Sequence, residues 1–152
     1  MTTKPVISLR QRALNYLSRR EHSRRELQHK LAAFAEEGED NTEEIATLLD
    51  DFQKRGWLSD ERFAEQVVHA KQSRYGSMKI AHELREKGVD DGLVANAMDG
   101  VDDFQNAKSV WLKKFGDAPK TREAWAKQAR FLQSRGFGFD VIKRVLNNTP
   151  EQ

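Results

Sequence analysis

Glu83-Leu84-Arg85-Glu86-Lys87-Gly88-Val89, just past the middle of the chain, returns in altered form on either side of itself. Upstream the counterpart is Glu26-Leu27-Gln28-His29-Lys30, and downstream it is Phe131-Leu132-Gln133-Ser134-Arg135-Gly136-Phe137. In each copy a leucine is followed three residues later by a basic side chain, and an apolar helical stretch comes next. Ile45, Leu48, Leu49 and Phe52 follow the first copy, Leu93, Val94, Ala97 and Met98 the second, and Val141, Ile142, Val145 and Leu146 the third. Repeats that each present one apolar face stack on one another, which predicts an elongated array rather than a ball. The copies lie 57 and then 48 residues apart, so the first unit is expected to hold an insertion.

Working outward from the repeats, apolar spacing and capping residues predict nine helices in three groups of three. Leu9, Ala13, Leu14 and Leu17 give a helix near 8–20. Ser23-Arg24-Arg25-Glu26 reads as a capping box that opens a second, over about 23–35. The acidic stretch Glu36 to Asp40 is a loop, and Asn41 to Glu44 offers the cap for a third helix, stopped at Gly56. Ser59 caps a fourth helix over about 60–74. Gly76 breaks it, and Ser77 is expected to cap a fifth that ends at Gly88. The remaining helices fall near 91–98, 102–115, 121–135 and up to about Asn147. No segment alternates as a strand does. The fold class is therefore all-α: three tandem three-helix units in an elongated array. The units are expected over 1–58, 59–100 and 101–148, with a frayed tail at 149–152.

Charge follows the same grain. Residues 1–35 hold eight Lys/Arg against two Asp/Glu, and residues 36–65 hold three against eleven. Residues 66–88 return to five against two, residues 89–104 carry five acids and no base, and residues 105–152 hold ten bases against four acids. A formal net charge of +2 thus hides alternating blocks. Blocks of one sign set up local potentials that orient a charged partner over a Debye length, about 8 Å at physiological salt.

The absence of cysteine removes disulfides, zinc thiolate sites and cysteine nucleophiles. No apolar run suits a signal peptide or reaches the ~20 residues of a membrane span, so a cytoplasmic protein is expected. His22, His29, His69 and His82 lack the spacing of a metal site, and surface or boundary positions are expected for them. The nine glycines are scattered at helix ends rather than gathered in a phosphate loop. Asp50-Asp51 and Asp102-Asp103 are sequence neighbours, which do not converge on one point as general acid–base catalysis requires. Nothing in these residues predicts an enzyme, a metal or a cofactor.

Trp111 and Trp125 fall on apolar helix faces and read as core. Trp57 follows a helix-stopping glycine, where an aromatic packs back on the preceding turn or forms a contact surface. Tyr75, at a helix end, reads either as an exposed amphipathic anchor or as a lid on the core. Sequence-specific DNA recognition is disfavoured, because the third helices near Asn41 and Asp91 open with acids. The last unit, with Lys143, Arg144, Asn147 and Asn148, is electrostatically suited to phosphates, so weak, salt-sensitive binding to single strands stays as the alternative reading.

Three stretches resemble a known family. Gly56-Trp57-Leu58-Ser59-Asp60-Glu61-Arg62-Phe63-Ala64 resembles the Gly-aromatic-Leu-x-Asp-x-Arg-Phe-Ala signature of the RecX regulatory proteins. Arg74-Tyr75-Gly76 with Ile80-x-x-Glu83-Leu84-x-x-Lys87-Gly88-Val89 is similar to a second stretch of that family. Phe131-Leu132-x-x-Arg135-Gly136-Phe137, followed by Val141-Ile142, is similar to its carboxy-terminal one. The resemblance implies a non-enzymatic bacterial modulator that binds the RecA filament on single-stranded DNA. It further implies that the array is curved, and that it restrains ATP hydrolysis, strand exchange and filament growth and damps the DNA-damage response; a monomer is expected as the acting form. The partner contacts carried over by the matching positions are Asp60, Arg62, Arg74, Tyr75, Lys87, Arg130 and Arg135. Of these, Asp60 reads equally as a helix cap, and Arg62 as the local partner of an Asp or Glu.

Overall fold

The computed structural model describes residues 6–147, which form nine helices and no strand. The first unit comprises α1 (Leu9–Arg19), α2 (Arg24–Ala32) and α3 (Thr42–Lys54). The second comprises α4 (Asp60–Lys71), α5 (Ser77–Glu86) and α6 (Asp91–Met98). The third comprises α7 (Asp103–Lys114), α8 (Arg122–Ser134) and α9 (Phe139–Asn147). The frayed tail expected at 149–152 lies outside the described residues, as does Asn148.

Most helix starts are fixed locally. Ser8, Ser23, Ser59, Asp90, Asp102 and Thr121 each accept a first-turn N–H, and Ser23 with Glu26 completes the expected capping box. Two expected caps are corrected. Asn41 makes no side-chain cap; Asp40 Oδ1 takes the Thr42 N–H at 3.0 Å instead. Ser77 is the first residue of α5 rather than its cap, and the cap position falls on Gly76, whose N–H finds its acceptor in another unit.

Each unit has its own core. Leu27, Leu84 and Leu132, the repeated leucines, are fully buried in three separate clusters, on α2, α5 and α8. All extensive helix–helix packing stays within a unit. The insertion expected in the first unit is the segment 33–41 between α2 and α3, matched by only 87–90 and 135–138 in the others. Because no apolar core is shared, much surface stays wet. The protein exposes 10370 Å², where a compact monomer of 17.5 kDa exposes roughly 7,900 Å².

What joins the units is polar, and it repeats. Ser23 Oγ, at the start of α2, donates to the Lys87 carbonyl in the turn after α5 at 2.7 Å. The Gly76 N–H, at the start of α5, donates to the Arg135 carbonyl in the turn after α8 at 2.7 Å, and the Met78 N–H to the Gly136 carbonyl at 3.2 Å. The first residue of the following unit completes each joint: Asp60 Oδ1 accepts the Arg24 N–H at 2.7 Å, and Asp103 Oδ1 accepts the Ser77 N–H at 3.1 Å. Asp102-Asp103 thus divides its work, one caps α7 and the other α5.

The repeated Lys/Arg-Gly pair acquires a reason from this geometry. A Cβ on Gly136 would stand 2.4 Å from Lys79 Cβ, and one on Gly88 would stand 2.7 Å from Arg25 Nε. Glycine there lets the start of one helix sit against the end of another. The first copy, Leu27-x-x-Lys30, continues with Leu31 instead of glycine, and among the described residues no helix start docks on that end of α2.

Candidate interaction grooves

The seven residues carried over from sequence separate into three places. Asp60, Arg62 and Lys87 hold the joint between the first two units. Arg62 Nε pairs with Glu21 at 3.0 Å while its other end donates to the Gly56 carbonyl at 2.7 Å. Lys87 Nζ lies 3.5 Å from Glu26, which also receives Arg20 at 2.6 Å and the Ser23 N–H. Burial alone would raise the Glu26 pKa, but the Arg20 hydrogen bond and charge, helped by Lys87, bring it down to about 2.

Beside this joint His22 is only 2% exposed, which corrects the expected surface or boundary position. Its Nδ1 lies 3.0 Å from the Arg20 carbonyl and its Nε2 3.0 Å from Lys30 Nζ. An ammonium cannot accept, so Nε2 is the acceptor and the ring is neutral. Burial lowers the His22 pKa first, and the neighbouring Arg20 and Lys30 charges push the same way against the carbonyl hydrogen bond.

Arg74, Tyr75 and Arg135 meet at the joint between the second and third units. The Tyr75 ring is half-buried on the second core, with Lys79, Arg74 and Arg135 at 4.8, 5.5 and 5.5 Å from its centroid. It is both the lid and the anchor that sequence left open. Arg135 also lies 5.1 Å from the Phe131 ring, and Lys114 lies 5.6 Å from it. A groove lined by Arg74, Val110, Lys113, Lys114, Phe131 and Arg135 results. Among the described residues none of its four cations, nor Lys79, enters an ion pair. Guanidinium groups held against aromatic faces keep their donors directed outward, suited to carboxylates or phosphates. Lys79, Lys113 and Lys114 were not singled out from sequence, and Phe131 entered only as a motif position. Lys113 and Lys114 close α7, where cations ordinarily answer the helix dipole, so their place in the groove needs the fold to be seen.

Arg130 lies elsewhere. It edges an apolar groove with Met78, Trp125, Ala126, Phe139 and Ile142. The basic residues noted on the last helix are partly engaged: Arg144 lies 4.1 Å from the Phe104 ring, and Asn147 Oδ1 accepts the Trp125 indole N–H at 2.9 Å. Trp111 is buried and donates to Gln128 at 2.7 Å, while Trp57, 43% exposed, packs edge-on against Phe52 beneath Arg10 and Arg55. No helix of the described residues is long and apolar enough to cross a membrane.

Three small helical cores, polar joints that repeat from unit to unit, and a cationic groove at one joint define a tandem three-helix repeat protein. Its residues match the RecX first, second and third three-helix domains over 10–33, 59–98 and 101–146. The chain is 43% identical over 139 residues to the regulatory protein RecX of Chromobacterium violaceum, covering 91% of this chain and 89% of that protein. It is 41% identical to the regulatory protein RecX of Leptothrix cholodnii, covering 95% and 91%. The chain belongs to the RecX family of regulatory proteins. The crystal structure of RecX from Lactobacillus salivarius superposes with a TM-score of 0.74 at 21% identity, over 92% of this chain and 93% of that one, and so shares the fold.

Proposed function

We propose that this protein binds RecA filaments assembled on single-stranded DNA and restrains their ATP hydrolysis, strand exchange and extension, damping DNA repair as a cytoplasmic monomer. The observation that carries this reading is the cationic cluster of Arg74, Lys79, Lys113, Lys114 and Arg135, without an ion pair among the described residues and set at a joint of an extended repeat array. Such an array can touch successive subunits of a polymer, and each weak contact gains from the effective concentration set by the others. Arg74, Tyr75, Arg130 and Arg135 are the proposed direct contacts. Asp60, Arg62 and Lys87 act by holding the first two units in register.

The test is co-sedimentation with RecA filaments, alongside DNA-dependent ATP hydrolysis, for Arg74→Glu and for the Lys113→Glu/Lys114→Glu pair. Each is expected to weaken binding at least about tenfold, the scale of an interface hot spot, with helicity unchanged. Undiminished inhibition by both would remove the groove from the interface. A basic groove with aromatic neighbours also suits single strands directly. Tight binding of naked single-stranded DNA with a steep salt dependence, equal with and without RecA, would favour that reading instead.

A further inference from the structure

The groove edged by Arg130 lies on the other side of α8 from the cationic one. At 100° per residue, Ala126, Ala129, Arg130 and Gln133 project roughly 170° around the helix from Phe131 and Arg135. The buried face, with Leu132 and Gln128, falls between them. The helix therefore presents a cationic groove on one flank and an apolar groove of about 310 Å³ on the other.

The apolar groove is unusual for this surface. Met78, at 64% exposed, and Phe139, at 62%, are two of the most exposed large apolar side chains described, and both line it. They come from different units, Met78 from the first turn of α5 and Phe139 from the start of α9. The joint that seats α5 on the Gly136 turn brings them together. Trp125 forms the wall, edge-on to Phe139 at 6.4 Å, with its indole N–H already satisfied by Asn147. The groove can therefore take an apolar group without leaving a polar atom of Trp125 unpaired. Arg130 is the sole charged residue lining it and has no ion-pair partner among the described residues. Two solvent-facing apolar side chains beside a guanidinium with no ion pair offer a partner both an apolar seat and a charge to match.

We infer that this groove receives a short segment of a RecA subunit that inserts one apolar side chain between Met78, Trp125 and Phe139 and sets a carboxylate against Arg130. The inference rests on the proposed filament binding and adds a second contact, on the opposite flank of α8. The apolar contact makes this flank insensitive to salt apart from the Arg130 pair, whereas the cationic flank weakens steadily as salt rises.

The experiment measures co-sedimentation of the full chain with RecA filaments for Phe139→Glu, Met78→Glu, Arg130→Gln and Arg130→Glu, with circular dichroism on each. Phe139 and Met78 face solvent, so their replacement leaves the core intact. Phe139→Glu and Met78→Glu are expected to lose about tenfold or more in filament affinity at both low and high salt. Arg130→Glu should lose more than Arg130→Gln, because it sets like charge against the carboxylate. If the unaltered protein fails to sediment with filaments, the proposed function itself fails. If it sediments and the groove variants sediment equally well, the function stands and this inference is wrong. Loss of naked single-strand binding in the same variants would give the groove to bases. Dimers of the unaltered chain that Phe139→Glu dissolves would give it to a second copy. Either result overturns the assignment.

Discussion

Replacing Gly76 with alanine tests whether the joints, rather than a shared core, set how the units sit together. Gly76 has an ordinary φ of −84°, so alanine there introduces no backbone strain. Its Cβ, however, would stand 2.4 Å from the Gly136 carbonyl oxygen and 2.7 Å from the Phe137 ring, against rigid backbone rather than a flexible side-chain end. The joint must open, breaking the Gly76-to-Arg135 and Met78-to-Gly136 hydrogen bonds. At about 1 kcal/mol for each net hydrogen bond, the cost is about 2 kcal/mol. Gly56→Ala supplies the opposite control: its φ of +77° is left-handed, but nothing lies within 4 Å of the added methyl, so only conformational strain of about 1 kcal/mol applies. Gly136→Ala combines a φ of +94° with a contact 2.4 Å from Lys79 Cβ and should cost about 3 kcal/mol. Thermal melts should rank the three, with Gly56→Ala lowest in effect at about 3 °C and Gly136→Ala highest at about 9 °C. Small-angle scattering should show a changed envelope for Gly76→Ala and Gly136→Ala but not for Gly56→Ala, all with native helicity. A Gly76→Ala protein that melts and scatters like the unaltered one would refute the claim that this close approach seats the third unit.

Acid should loosen the first joint. The folded Glu26 pKa, about 2, lies below its ordinary 4.5, so its contribution is present above pH 4.5 and lost as pH falls toward 2. His22, also lowered from 6.5, works in the same direction: its stabilising neutral form is lost as pH falls below that value. Urea midpoints should therefore decline from neutral pH into acid, and Glu26→Gln should remove the portion between pH 4.5 and 2, on the order of 2 kcal/mol after allowance for the exposure of Arg20. Asp60→Ala and Asp103→Ala each leave a first-residue N–H without its cap and should cost about 1 kcal/mol in chemical denaturation. A larger loss of filament affinity for Asp60→Ala than for Asp103→Ala, at equal stability, would show that Asp60 touches the partner after all.

Helix positions, the caps at Ser23 and Ser59, the leucines at the heart of each unit and the division into three were legible in the order of residues. Those signals act over three or four positions, within one turn of helix or one turn of chain. The joints between units were not legible there, because their partners lie far along the chain. Ser23 meets the Lys87 carbonyl 64 positions away, and Arg24 meets Asp60 36 positions away, so neither pairing leaves a local trace. Ser77 looked like a cap because serine usually is one, yet the start of α5 is finished by Asp103 and by two carbonyls of the last unit. Tyr75 could not be placed between core and surface until Lys79 and Arg135 were seen around its ring. The same holds for both flanks of α8, where Met78 and Phe139, or Arg74 and Lys114, become neighbours only when α5 docks on the Gly136 turn. Sequence alone thus determined what each unit is, because a unit is held by nearby apolar contacts. Tertiary structure alone decided how units join and which surfaces the joints create, because those rest on side chains, backbone carbonyls and glycine contacts that meet only when distant parts of the chain are brought together.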